Sequence, residues 1–420
     1  MHDSSIDITI CPHCYPEKIN HTQEKFNSFV LAYINRPLAR IFKFLTFNKN
    51  IYFTDRYLVA TIILLRKFNK LHLQQDIKAE QTTTRLQLLW SEAQKRGLDL
   101  YSFSMYNRQL LSFLLKYKGR NYYFHYSPTT LLHKHLKRYK DPTIYDDKAQ
   151  FKKIMLLNDF PHPEGRAFFS KRKAFLYGKN LGYPLVVKPA ASTFSHHVSL
   201  QINDLHTLKR AIDIAKLIDC RIIVERFIDG DVHRMMFIDN KLIVCSKRTR
   251  ACVIGDGYST IDMLIDKFNS NPLRGKTNQV GFALYQIAKD AHLQTYLSTH
   301  GMHLNFVVEE GRKIYLSDKS NCSNGALVIN VTEEVCAENI ELFRKLHNAL
   351  QIGVSAIDLI CTDVSKPWYS QPFAFLENNS FPAIEPQYYP STGKPVDVAK
   401  DIWDLVLYNL NSFRNARRNI

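Results

Sequence analysis

Between His21 and Gly97 the apolar residues recur at spacings of three and four with almost no glycine or proline, as in FNSFVLAYINRPLARIFKFL and RLQLLWSEAQKRG. That period gathers them on one helical face and predicts a mostly helical N-terminal region over residues 1–97. After Gly97 the chain turns to short apolar or aromatic runs broken by polar turns: LDLYSFSM, NYYFHYS, PLVVKPA, RIIVERFI, VHRMMFI, KLIVCSKRT, LNFVVEE, KIYLSDKS, SAIDLICTDV and FAFLENNS. These read as strands. Helical segments lie between them, notably KAQFKKIMLLNDF, LHTLKRAIDIAKLI, TIDMLIDKFNS, AENIELFRKLHNALQI and VDVAKDIWDLVLYNL. Several strand pairs are close enough for antiparallel hairpins, such as MMFIDNKLIVCSKRT turning at Asp239-Asn240. The mixture predicts an α+β architecture rather than a regular βαβ alternation, with residues 98–140 connecting the helical region to a large α+β domain over 141–420.

Composition changes this picture in four places. The 420 residues, 45% hydrophobic, are enough for two or three cored domains. The opening MHDSSIDITICPHCYPEK has no secretory pattern, and the most lipid-like run, Tyr57 to Leu65, is about half the length of a membrane span. Eight scattered cysteines favour reduced thiols, so the expected location is cytoplasmic. Cys11 and Cys14 form a lone CxxC near His13 and His21. With no second pair at zinc-ribbon spacing, a plain polar N-terminus is preferred over half a zinc site. Finally, of the net +17, residues 1–140 carry 22 Lys and Arg against 9 Asp and Glu, and the remainder 34 against 30. A basic N-terminal third attracts polyanions, but no nucleic-acid recognition module accompanies it, and spread charges also suit a solvated helical face.

Four groups of residues after Lys140 carry candidate chemistry. Lys148 opens a helix, and Lys188 ends the apolar strand PLVVKP before a run of small residues, a setting that suits phosphate oxygens. Glu225, Arg226, Phe227 and Ile228 lead an apolar strand into an Asp-Gly turn, where a flat heterocycle finds backbone and side-chain partners. Asp358 sits inside the apolar SAIDLI, while Glu377 and Asn379 close FAFLENN. An aspartate on a buried strand needs a partner or a metal, and three oxygen ligands suit a hard cation. The polar loop Ser320 to Gly325, containing Asn321, approaches phosphates or is a plain turn.

The order lysine, lysine, hinge glutamate, aspartate, Glu-x-Asn resembles the ATP-grasp superfamily. The resemblance sharpens at RTRACVIGDGYSTIDMLIDKFNSNPLRG, where Gly255-Asp256-Gly257, Thr260, Asn269, Pro272, Arg274 and Gly275 look like the ATP-grasp modules of cyanophycin synthetase and bifunctional glutathione synthase. It covers roughly residues 141–410. It implies a two-lobed ATP-grasp fold with ATP between sheets, Lys148 and Lys188 on its phosphates, Glu225 to Ile228 around the adenine, and Mg2+ on Asp358, Glu377 and Asn379. It further implies phosphorylation of a carboxylate and attack by an amine, with an amino acid or peptide as one substrate. Arg248, Arg234 and Asn321 are the expected catalytic residues. The chain departs from the family in two places: Ser195-His196-His197 replaces the usual glycine-rich flap, where the two histidines are expected to act as phosphate donors, and Val232, with Asp231 beside it, replaces a ribose-binding acid. These departures keep a second reading open, a nucleotide- or partner-binding protein without turnover. Nucleic-acid binding through the basic third is the remaining alternative.

Overall fold

The computed structural model describes residues 11, 13–14, 19–30, 71–106, 108–136, 138–191, 195–276, 279, 282, 284–317, 320, 322 and 325–418. The apolar run Tyr57 to Leu65 and the candidate Asn321 lie outside them. No helix among the described residues is long and apolar enough to cross a membrane.

The N-terminal part comprises α1 (His21–Phe29), β1 (His72–Gln74), α2 (Thr84–Lys95), β2 (Asp99–Met105), β3 (Arg108–Tyr117), β4 (Arg120–His125) and α3 (Thr130–His135). α2 follows the sequence period: the Thr83 hydroxyl caps it by accepting from the Leu86 N–H, and Leu86, Leu89, Trp90 and Ala93 line its buried face. β1 to β4 pair in order as an antiparallel sheet, so the β1–β2 pairing spans the expected boundary at residue 97. β3 was not expected as a strand. Its apolar residues run together because both faces are covered: Phe113 and Leu115 join the main core, while Leu114 packs with Leu71 and Phe103.

A central lobe follows, made of α4 (Lys148–Leu157), β5 (Gly165–Phe168), α5 (Lys171–Leu181), β6 (Leu185–Pro189), β7 (Ser199–Ile202), α6 (Leu205–Ala215) and β8 (Ile222–Arg226). Its antiparallel sheet has the order β5-β8-β6-β7. Leu185, Val187, Ile222 and Val224 pack with α5 and α6 residues on one face. Strand alternation therefore leaves Val186, Lys188, Ile223 and Glu225 on the other.

The C-terminal lobe contains β9 (Asp231–Ile238), β10 (Lys241–Thr249), β11 (Cys252–Ile254), α7 (Ile261–Asn269), β12 (Arg274–Gly275), β13 (Leu284–Tyr285), α8 (Ala291–Thr299), β14 (Lys313–Tyr315), β15 (Leu327–Asn330), α9 (Ala337–Leu350), β16 (Val354–Cys361), β17 (Phe373–Asn378), α10 (Glu385–Tyr388) and α11 (Val398–Arg418). Its main sheet runs β15-β10-β9-β16-β17. The expected β9–β10 hairpin is present, with Ile238 opposite Lys241 and Asp239 in the left-handed region at φ 54°. Alternate residues feed two cores. Met236, Ile238, Val354 and Ala356 face α2 and α11, and Met235, Phe237, Ile357 and Leu359 face α4 and α9.

Residues 250–316 form a subdomain between β10 and β15 with its own core, including Val253, Ile261, Leu297 and Ile314. The most recognisable motif residues build it. Asp256 accepts from the Tyr258 and Ser259 N–H groups, and the Thr260 side chain caps α7. Asn269 both donates to and accepts from the Ile287 backbone, and Arg274 donates to the Tyr285 carbonyl at 2.7 Å while lying over the Phe268 ring. A Cβ on Gly255 would stand 2.1 Å from the Glu309 carbonyl oxygen, so only glycine fits there. The expected strand LNFVVEE does not form; Val307 makes a single bridge to Thr260 where the segment crosses the start of α7.

Candidate active site

Direct cross-strand neighbours in an antiparallel sheet share a face, and the main sheet uses this to assemble a polar row. Ser246 on β10 stands opposite Arg234 on β9, Arg234 opposite Asp358 on β16, and Asp358 opposite Glu377 on β17. Arg234 forks onto Asp358, Nε to Oδ1 at 2.6 Å and the second nitrogen to Oδ2 at 2.8 Å, and Arg248 approaches the same carboxylate at 3.9 Å. Burial pushes the Asp358 carboxyl up, but the two guanidiniums outweigh it and hold the group below the usual carboxylate range.

The central lobe presents a second buried carboxylate. Glu225 is paired with Lys188, its diagonal neighbour across β6 and β8, and with Lys152 of α4 at 3.0 Å. Burial again works against the charge, and Lys188 and Lys152 overcome it, leaving the Glu225 pKa lowered. Lys152 is itself pushed down by burial.

α4 joins the two lobes. Lys148 in its first turn reaches Glu377 at 2.8 Å, and Lys152, one turn later on the same side, reaches Glu225. Phe151 and Met155 anchor the helix in the C-terminal core. The Asp147 side chain caps it and pairs with Arg221 at 2.5 Å, while the Lys148 N–H donates to the Ala190 carbonyl just beyond β6. Asp146, itself exposed, accepts from the Ser380 N–H and hydroxyl, and desolvation by the surrounding protein raises its carboxyl to about 6.

The fold thus brings Lys148, Lys188, Glu225, Arg234, Arg248, Asp358 and Glu377 into one system across the two lobes. The Glu225 side chain pairs with two lysines; its neighbours Arg226 and Phe227 spend their N–H groups on the Glu164 and Pro184 carbonyls, and the Arg226 side chain pairs with Glu164 at 3.0 Å. Phe227 and Ile228 are half-buried at the strand end. Of the two histidines expected as phosphate donors, His197 has its polar groups engaged within the chain. Its N–H donates to the His13 carbonyl, and its ring nitrogens meet the Cys14 sulfur and the Ile214 carbonyl. His196 is buried beside it. Sequence reasoning passed over Lys152, Asp146 and Arg221; only Lys152 had a usable signal, its i, i+4 spacing from Lys148.

Asp358, Glu377 and Asn379 fit a hard divalent cation. The two carboxylates are direct cross-strand neighbours on β16 and β17. The Asn379 Nδ2 donates to the Ala356 carbonyl at 3.4 Å. All donors are oxygen, and Glu377 remains 28% exposed, so a ligand bringing its own oxygens has access.

The fold is the ATP-grasp fold, as the bifunctional glutathione synthetase of Pasteurella multocida shows: it superposes with a TM-score of 0.60 over 78% of this chain and 44% of that one, at 20% identity. In sequence the chain is similar to the cyanophycin synthetase of Trichormus variabilis, 30% identical over 271 residues, which is 64% of this chain and 30% of that protein. It is also 25% identical over 393 residues to the glutathione biosynthesis bifunctional protein of Desulfotalea psychrophila, 93% of this chain and 48% of that protein. The chain therefore spans half or less of the curated relatives it matches. No family model matches it.

Proposed function

We propose that the chain is an ATP-dependent carboxylate–amine ligase acting on an amino acid or peptide. The observation that carries this reading is the bridging of the two lobes by α4, with Lys148 on Glu377 and Lys152 on Glu225. It gathers lysines and arginines around two buried carboxylates where a triphosphate between the lobes would meet them. Lys148 and Lys188 exchange their carboxylate partners for phosphate oxygens, while Lys152 keeps Glu225 paired. Phe227 and Ile228 flank the base. Arg234 holds Asp358 in place, and Arg248, with its looser contact, is free to turn toward the transferring phosphoryl group.

Asp358, Glu377 and Asn379 would hold Mg2+, which when bound neutralises phosphate charge. The substrate carboxylate oxygen attacks the γ-phosphorus as the bond to the bridging oxygen breaks, giving an acyl phosphate and ADP. The amine then attacks the acyl carbon, phosphate leaves, and the amine proton passes to solvent. The chain's part is placement and charge neutralisation, which suffices for phosphoryl transfer. The similarity to cyanophycin synthetase and the glutathione bifunctional protein supports amino acid or peptide substrates without identifying them.

An ADP-release screen over amino acids and dipeptides, with hydroxylamine present to trap acyl phosphate as hydroxamate, tests the reading. Substrate-dependent ADP and hydroxamate are expected. Thermal stabilisation by Mg-ATP without turnover on any pair would favour the binding-only alternative, and no stabilisation at all would defeat both.

A further inference from the structure

The lone CxxC does not stand alone in the folded chain. Cys11, Cys14 and His21 from the N-terminal segment meet His197 from the loop between β6 and β7, and their four ligand atoms all lie within 4.8 Å of one another. The Cys14 Sγ is 3.0 Å from both the His21 Nε2 and the His197 Nε2. Tetrahedral Zn2+ ligands, with bonds of about 2.0–2.3 Å, stand roughly 3.3–3.8 Å apart. Small side-chain shifts around a central ion would therefore reach that geometry.

Three further features are those of a metal centre. First, the Cys14 N–H donates to the Cys11 carbonyl at 2.9 Å, a tight turn that points two sulfurs the same way. Second, the His197 Nδ1 lies 2.7 Å from the Ile214 carbonyl. That contact requires the proton on Nδ1, leaving the Nε2 lone pair toward Cys14 and His21, as carbonyl-oriented histidine ligands are arranged. Third, Cys14 and His197 are 1% and 0% exposed, so the centre is shut off from solvent on that side.

We propose that Cys11, Cys14, His21 and His197 bind a structural Zn2+ ion that fastens the N-terminal segment to the β6–β7 loop. Two thiolates and two imidazoles in a tetrahedral set favour zinc over oxygen-seeking cations, and four protein ligands leave no open position for chemistry. The attachment is continued at the other end of α1, where Ser28 donates to Asp219, whose other oxygen accepts from the Ala191 N–H at 2.7 Å. Ala191 lies three residues after Lys188, so the ion holds the loop that follows the candidate phosphate lysine. The proposal is independent of the ligase reading.

The test is metal analysis of untagged, full-length protein purified without chelator. One zinc per chain is expected, falling to background in Cys14→Ser and in His197→Gln but unchanged in the control Cys336→Ser. Should the variants fail to fold, chelator-stripped wild type titrated with Co2+ alone decides. A one-to-one endpoint with tetrahedral ligand-field bands and a thiolate-to-cobalt band is expected. Folded wild type that stays metal-free in excess zinc, zinc retained in both variants, or a cobalt spectrum without a thiolate band would each overturn the site.

Discussion

Each lobe carries one buried carboxylate bracketed by two cations, but the cations differ. The central lobe sets Glu225 between Lys152 and Lys188, and the C-terminal lobe sets Asp358 between Arg234 and Arg248. Lysine is a point charge on a flexible stem, so its ammonium can leave one anion for another at little geometric cost. The arginine fork on Asp358 is planar and bidentate, and turning it away breaks two bonds together. The difference teaches which side would exchange partners on entry of the proposed triphosphate and which side would hold still. Lys148 on Glu377 lies between the two extremes, as a lysine on the partly exposed end of the rigid row.

The largest effect is expected from Asp358→Asn, which removes a proposed metal ligand and leaves the Arg234 guanidinium buried beside a neutral amide. Turnover should fall to background, and a denaturant titration should register a loss of about 3–5 kcal/mol, the range for a buried pair broken on one side. Near wild-type stability would mean that the C-terminal lobe is as adaptable as the central one. Lys188→Met should lower kcat by about 10²–10³-fold, as for loss of one group aimed at developing charge. Its melting temperature should change less than that of Asp358→Asn, because Lys152 still pairs with Glu225. Equal destabilisation by the two substitutions would erase the distinction between the lobes.

Lys152→Met tests whether the second lysine supports rather than binds. Losing one charge-assisted contact of about 1.5–3 kcal/mol corresponds to one or two decades if all of it acts on the rate. The expected loss is at the lower end, in kcat with little change in the KM for ATP. A KM effect alone would make Lys152 a direct nucleotide contact.

The smallest expected effect is on acid sensitivity. His233 on β9 and His347 on α9 are buried in the C-terminal lobe, and burial pushes each down to about 4. Unfolding returns them to about 6.5, so the unfolded chain binds more protons between those values and stability falls as pH drops through that window. From pH 7 to pH 6 each should cost about 0.7 kcal/mol, measurable as a lower urea midpoint. The depressed Glu225 contributes nothing there, since its stabilisation is lost only as pH falls through its lowered pKa, below the ordinary carboxylate range. His347→Gln should flatten this slope, on which Asp146, raised to about 6, acts in the opposite sense; an unchanged slope would place the sensitivity elsewhere.

Much of this was legible along the chain. Helix α2 and the long helices α9 and α11 follow their apolar period, and the Asp239-Asn240 hairpin forms where its turn residues stand. Strand β3 was missed because coverage on both faces erases alternation. The LNFVVEE segment misled because its apolar residues serve the core of the 250–316 subdomain without pairing in a ladder. The motif residues that made the resemblance most specific turn out to be capping and gripping groups of that subdomain, while the candidate site is formed by residues that look ordinary singly.

By itself the sequence determined the α+β class, the order of most elements and the identity of the lysines and carboxylates, because periodicity, turn chemistry and motif order are local properties. Only the tertiary structure decided their partners. Arg234 meets Asp358 across 124 positions, and Cys14 meets His197 across 183. Such pairings depend on strand register and on how α1 and α4 dock, and a one-residue slip would turn every side chain of a strand to the other face. That is why a lone CxxC read as a plain polar terminus while its fourth ligand lay in a loop assigned to phosphate.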